Sequence, residues 1–151
     1  MTVGTVVLTP GASCALDLPA GVALLDLSGE SIADPEWTAR TSLAVYSAAP
    51  AAPLLLVVAG DPCRHAPHLG FAQRAARRSV WGYVLIDPVL PQPGAVADWP
   101  DAPVTVVVTA QADDDVRSSA LGARLRGWDV IEGRPHDVIA GLCALVAGSS
   151  T

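Results

Sequence analysis

The strongest indication of the fold is the segment of residues 54–88, LLLVVAGDPCRHAPHLGFAQRAARRSVWGYVLIDP. Leu54 to Ala59 form an apolar run that is too short for a membrane span and has the length of a strand buried on both faces. A polar turn follows, then a helical segment from about Pro67 to Arg78, then a second apolar strand from Tyr83 to Asp87. This strand–helix–strand order is typical of a parallel sheet covered by helices.

The same alternation continues on both sides of this stretch. Further strands are predicted over Thr2–Thr9, Val22–Leu27, Val104–Thr109 and Asp129–Glu132, and helices are predicted to begin near Asp34, Val116 and His136. A length of 151 residues suits one hydrophobic core. We therefore predict a single domain over residues 1–151, an α/β three-layer sandwich with a mostly parallel sheet of about six strands.

Composition and charge exclude several kinds of ligand and several kinds of chemistry. The net charge of −6 disfavours binding to nucleic acid or to an anionic membrane. The chain has no lysine, which excludes Schiff-base chemistry and a Walker-type phosphate loop. The N-terminus lacks the basic flank and apolar core of a signal peptide, and no apolar run has the length of a membrane helix, so a cytoplasmic protein is expected.

The polar turn after the first of these strands concentrates reactive side chains. Within GDPCRH, residues 60–65, stand an acid, a thiol, an arginine and an imidazole. Ligands of open parallel sheets gather at the carboxyl ends of the strands, so chemistry is expected here. Cys63, His65 and His68 have ligand types that suit zinc, but no matching pair is spaced to complete a tetrahedral site. We expect no metal, and because no G-x-G-x-x-G follows a strand, no cofactor.

Four segments resemble parts of the α/β-hydrolase family. SVWGYVLIDPVLP (79–91) resembles the strand after the family's nucleophile helix, VTVVVTAQADDD (104–115) the strand that delivers its catalytic acid, and GWDVIEGRPHDVI (127–139) the end that delivers its histidine. VVLTPGASC (6–14) is similar to the early strand and glycine turn that supply an oxyanion-hole amide. The resemblance covers most of the chain from Val6 to Val146. It implies an α/β-hydrolase-like core that lacks the family's first strands and its lid.

The family's nucleophile elbow, G-x-S-x-G, is altered in this chain. The family's usual spacing, counted back from Val80, places Cys63 at the nucleophile position, flanked by residues larger than the motif has there. A register two residues earlier places Asp61 at that position, followed by Pro62, which has no N–H to offer an oxyanion. We take Cys63 as the candidate nucleophile and keep Asp61 as the alternative.

The resemblance also implies a general base and an acid. His136 stands directly after the last strand, where the family has its base. Asp113 or Asp114 would hold the imidazole tautomer and stabilise its charged form.

Further residues are assigned to substrate binding. Candidate oxyanion donors are the backbone amides of Arg64 and of Ala12 or Ser13. His65 is a possible second base beside the thiol. Residues 88–103, a loop with five prolines, stand where the family's lid is inserted, and Trp99 is the loop's one large aromatic residue.

These assignments imply a small enzyme that acts on an acyl thioester, ester or lactone, free or tethered to a carrier. Similar stand-alone members of the family often serve bacterial natural-product pathways of polyketide type. The resemblance therefore implies that this protein acts there as a thioesterase, or as a cyclase or dehydratase. The alternative is a non-catalytic binding or interaction protein that has lost the nucleophile. Because the missing first strands would leave an open sheet edge, a homodimer is expected.

Overall fold

Six strands form one parallel sheet. The computed structural model describes residues 2–33, 35–94 and 96–149. The strands are β1 (Thr5–Leu8), β2 (Ala23–Asp26), β3 (Leu54–Ala59), β4 (Val80–Ile86), β5 (Val104–Val108) and β6 (Asp129–Glu132). They lie in the order β2-β1-β3-β4-β5-β6, and each neighbouring pair is parallel. The predicted three-layer α/β sandwich is confirmed.

Four helices cover the two faces of the sheet. They are α1 (Trp37–Ala48), α2 (Ala66–Ala75), α3 (Asp114–Leu125) and α4 (Pro135–Ser149). Buried side chains of α1, α2 and α3 form one core cluster with the sheet. Ile139 and Cys143 of α4 belong to a second cluster on the opposite face, which the segment between β1 and β2 helps to cover.

The strand β3 shows why the apolar run is continuous. Leu54, Leu56 and Val58 pack into the cluster below α1, α2 and α3. Leu55 and Val57 point the other way, into the cluster below α4. All five side chains are fully buried, as expected of a central parallel strand covered on both faces.

The observed elements differ from the predicted ones mainly at their ends. Asp34, the predicted cap of α1, lies outside the described residues, and the helix begins at Trp37. The helix α2 ends at Ala75, and Arg77 then has a positive φ of 59°. The strand β4 begins at Val80, earlier than predicted.

The proline-rich loop between β4 and β5 is anchored to the face that carries α2 and α3. The Trp99 ring meets the rings of Tyr83 and Trp128 edge-on, at centroid distances of 5.3 and 5.6 Å. The Tyr83 hydroxyl donates to the Asp101 carboxylate over 2.8 Å, and Arg74 of α2 lies 3.6 Å from the same carboxylate. The loop is thereby held against β4, against α2 and against Trp128, which follows α3.

In the part of the chain that the structure describes, every helix is too short or too polar to cross a bilayer.

Candidate functional site

The strand order places a switch point between β1 and β3. From β1 the chain moves outward to β2, then returns to the other side of β1 to form β3. The loops that follow β1 and β3 therefore leave the sheet in opposite directions. A crevice opens between them at the carboxyl ends of the two strands. Ligands of doubly wound sheets bind at this kind of position.

The turn after β3 is centred on Gly60. This residue has φ 69° and ψ −140°, a backbone conformation that L-residues rarely adopt. Its N–H donates to the Ile86 carbonyl, and its own carbonyl accepts from the amides of Cys63 and Val89. A short 3₁₀ turn, Asp61–His65, then leads directly into α2.

The position of Gly60 bears on the predicted nucleophile. In a nucleophile elbow the reactive side chain is carried by the strained residue at the strand-to-helix turn. Here that residue is glycine, so the strained position carries no side chain. Neither register considered from the sequence, with Cys63 or with Asp61 as nucleophile, puts its side chain at this position.

The thiol of Cys63 lies in the hydrophobic core. The residue is fully buried in the cluster below α1, α2 and α3. Burial raises the pKa of the thiol far above its ordinary value, and the carboxylates of Asp61 and Asp87 raise it further. Because only the thiolate is a good nucleophile, this environment opposes the role predicted for Cys63. The spacing argument had placed the residue correctly in the turn but could not tell which way its side chain points.

Two adjoining cavities form the crevice at the switch point. They have volumes of about 190 and 170 Å³ and share Ile32, Trp37 and Pro62 in their linings. The first is also lined by Asp61, Arg64 and His65, three of the residues predicted from the sequence. The second extends to Pro10, Gly11, Glu30 and Ser31.

Trp37 is one of the crevice residues that the sequence did not predict. It is almost fully buried, and its ring lies 6.0 Å from that of His65 at an interplanar angle of 25°. Among the described residues, its indole Nε1 has no hydrogen-bond acceptor. A tryptophan in the first turn of a helix carries no motif, so only the folded chain shows its place at the crevice.

The three backbone amides predicted as oxyanion donors lie in two different turns, one after β1 and one after β3. The Ala12 N–H donates to the Thr9 carbonyl over 2.9 Å, which closes the turn after β1. This bond opposes the oxyanion role predicted for Ala12, since its amide already has an acceptor. Ser13 is exposed in the following loop, and Arg64 lies within the 3₁₀ turn.

The predicted acid and base lie on neighbouring turns. The strands β5 and β6 pair side by side, so the turns that follow them are adjacent. Asp113 is the N-cap of α3, and its Oδ1 accepts from the Val116 amide over 2.9 Å. Asp114 is in the first turn of α3. The half-exposed His136 instead has Asp137 as its carboxylate neighbour, with Nε2 and Oδ1 3.4 Å apart.

These contacts oppose the predicted pairing of His136 with Asp113, while the pairing with Asp114 stays a prediction. The physical reason is that Asp113 satisfies an otherwise unbonded amide at the start of α3. Asp137 follows His136 in the same helical turn.

Trp99 lies outside the crevice lining. It borders a separate cavity of about 190 Å³ beside Pro67, Arg126 and Trp128. Its contacts with Tyr83 and Trp128 make it an anchor of the proline-rich loop.

Within the described ranges, the histidine, cysteine and acidic side chains form no group of three that could hold a metal ion.

Comparison with known proteins gives no family assignment. No protein-family model, curated protein or solved structure matches the chain. The fold and the crevice define the class: an α/β protein with one parallel sheet and a ligand-sized opening at its switch point.

Proposed function

We propose that this chain is an α/β-hydrolase-like binding protein that holds a small acyl compound at the switch point without forming a covalent bond to it. The observation that carries the proposal is Gly60, which occupies the strained turn where a nucleophile elbow presents its reactive side chain. The family named in the proposal rests on the sequence resemblance alone, and the strand order with its crevice supports a ligand at this edge.

The environment of the thiol supports binding in preference to acyl transfer. Cys63, the only thiol in the turn after β3, is buried with its pKa raised by burial. Attack on a carbonyl would require this thiol to ionise in an apolar core and to turn outward. A non-covalent ligand requires neither change.

The crevice favours a ligand with an apolar part and a polar end. Ile32, Trp37 and Pro62 supply apolar walls. Arg64 and His65 give the first cavity a polar end. Together the two cavities fall in the range of roughly 300–1,000 Å³ that is typical of small-molecule sites. An acyl thioester, ester or lactone has this character.

Binding at the crevice is tested by filling it. We expect butyryl-pantetheine to bind the wild-type protein in equilibrium dialysis, and Ile32→Trp to weaken binding at least about tenfold, because the larger ring occupies the shared wall. Leu125→Trp, at the exposed C-terminal end of α3, is the matched control and should bind like the wild type. Equal affinity in both variants would place the ligand elsewhere.

A second candidate function is acid–base catalysis without a covalent intermediate, as in a cyclase or dehydratase. The observation that favours it is the half-exposed His136 beside Asp137 near the carboxyl edge of the sheet. In that case His136→Ala would abolish turnover of the bound compound and leave its affinity unchanged.

We also propose that two copies associate through the edge of the sheet. The edge strand β2 is exposed at Ala23, Leu24 and Asp26, and β1 is its one partner strand in the described sheet. Open edges of this kind pair readily with another chain. Light scattering at micromolar concentration should give twice the mass of one chain; the mass of a single chain would refute the dimer.

A further inference from the structure

Another cavity in the described part of the protein lies away from the switch point. It has a volume of about 540 Å³ and opens where β5 and β6 end. Its lining shares no residue with the crevice beside Gly60. A volume of this size accommodates a small organic molecule.

Two arginines line this cavity. Arg117 of α3 is held from two sides: its Nη1 lies 3.4 Å from the Glu132 carboxylate, and its Nη2 lies 3.4 Å from the Thr109 carbonyl. A guanidinium has five N–H donors, so these two long contacts leave donors unused. The guanidinium is therefore placed at the cavity wall while still able to bind a further acceptor.

Arg134 supplies the second positive charge. It lies in the turn between β6 and α4 and is exposed. Within the described ranges, no acidic side chain forms an ion pair with it. Glu132 is the one carboxylate in the cavity lining, and it is already engaged with Arg117.

The rest of the lining is neutral and mixed. Val108, Ala110 and Pro135 give apolar contacts, while Thr109 and Gln111 add polar groups. His136 and Asp137 pair with each other just beyond Pro135, and neither belongs to the cavity lining. A ligand with an oxyanion at one end and an apolar body matches this pattern.

We propose that this cavity binds a small organic anion whose carboxylate or phosphate group is held by Arg117 and Arg134. Planar guanidinium groups bind such oxyanions with two parallel hydrogen bonds, which gives both charge and shape selectivity. The site is separate from the acyl crevice and does not depend on it. The protein would thereby recognise two chemically different groups along one edge of its sheet.

The test is a titration of ¹⁵N-labelled protein with benzoate, followed by amide chemical shifts. Benzoate should cause saturable shifts at Gln111 and Gly133, and added salt should weaken its binding. Benzamide, which has the same ring and no charge, should cause no saturable shift at these amides. Inorganic phosphate, which lacks an apolar body, should shift the same amides with lower affinity.

Arg134→Gln is the decisive variant, because the side chain is exposed and we expect its replacement to leave the fold intact. We expect it to weaken benzoate binding at least about tenfold, in line with the loss of a charge-assisted hydrogen bond. Arg40→Gln, whose arginine pairs with Glu36 near the start of α1, is the matched control and should bind like the wild type. The proposal is overturned if benzoate gives no saturable shift, if benzamide binds equally well, or if Arg134→Gln binds like the wild type.

Discussion

Cys63 should react with iodoacetamide at least about 100-fold more slowly than Cys14 in the native protein at about pH 8. The Cys63 thiol is fully buried, its pKa is raised by burial, and it becomes accessible only when the turn opens. Because each tenfold factor corresponds to about 1.4 kcal/mol, an opening free energy of only about 3 kcal/mol suffices for this difference. Peptide mass spectrometry after timed quenching measures both rates.

The control is the same reaction in strong denaturant, where Cys14, Cys63 and Cys143 should be modified at similar rates. Cys14 is the internal reference because it is partly exposed. An activated nucleophile would behave in the opposite way: Cys63 would then react faster than Cys14, and would still do so near pH 6. That result would restore the acyl-transfer interpretation.

Gly70→Ala should destabilise the protein by about 1–3 kcal/mol. A methyl group at this position of α2 would lie 1.9 Å from the Tyr83 hydroxyl oxygen and 3.0 Å from the ring carbon that bears it. Tyr83 cannot move aside easily, because its ring is buried and its hydroxyl is bonded to Asp101. Urea unfolding followed by circular dichroism measures the change in the free energy of unfolding.

Gly141→Ala is the matched control within another helix. A methyl group there meets no atom within 4 Å, so the higher helix propensity of alanine should stabilise the protein by up to about 1 kcal/mol. Removing the hydroxyl should also relieve the clash: Gly70→Ala combined with Tyr83→Phe should lose less stability than the two single changes added together. Equal stability of Gly70→Ala and Gly141→Ala would mean that α2 and β4 are not packed as described.

The architecture could be predicted because its signals are local. The apolar run of β3 is long enough for a strand and too short for a membrane helix, and it is flanked by turn residues on both sides. Repetition of this pattern along the chain indicates a parallel sheet with helices on both faces. The ends of elements were less predictable, because α1 and α2 begin and end where tertiary contacts allow.

The site was harder to predict because it depends on the direction of side chains. Cys63 lies in the expected turn, but the 3₁₀ conformation of Asp61–His65 sends its thiol into the core. The strained residue is Gly60, and its φ follows from the path of the chain, which no spacing rule reveals. Asp113 could equally cap a helix or orient a histidine on sequence grounds, and the structure shows the cap.

The central claim, that an acyl compound is bound without covalent bond formation, is tested most directly by the intact mass of the protein. The protein is incubated with butyryl-pantetheine under the conditions of the dialysis experiment, with Cys63→Ala alongside. We predict an unchanged protein mass, an intact thioester and the same bound fraction in both proteins. A butyryl adduct on the wild-type protein that is absent from Cys63→Ala would contradict the account and identify Cys63 as a nucleophile.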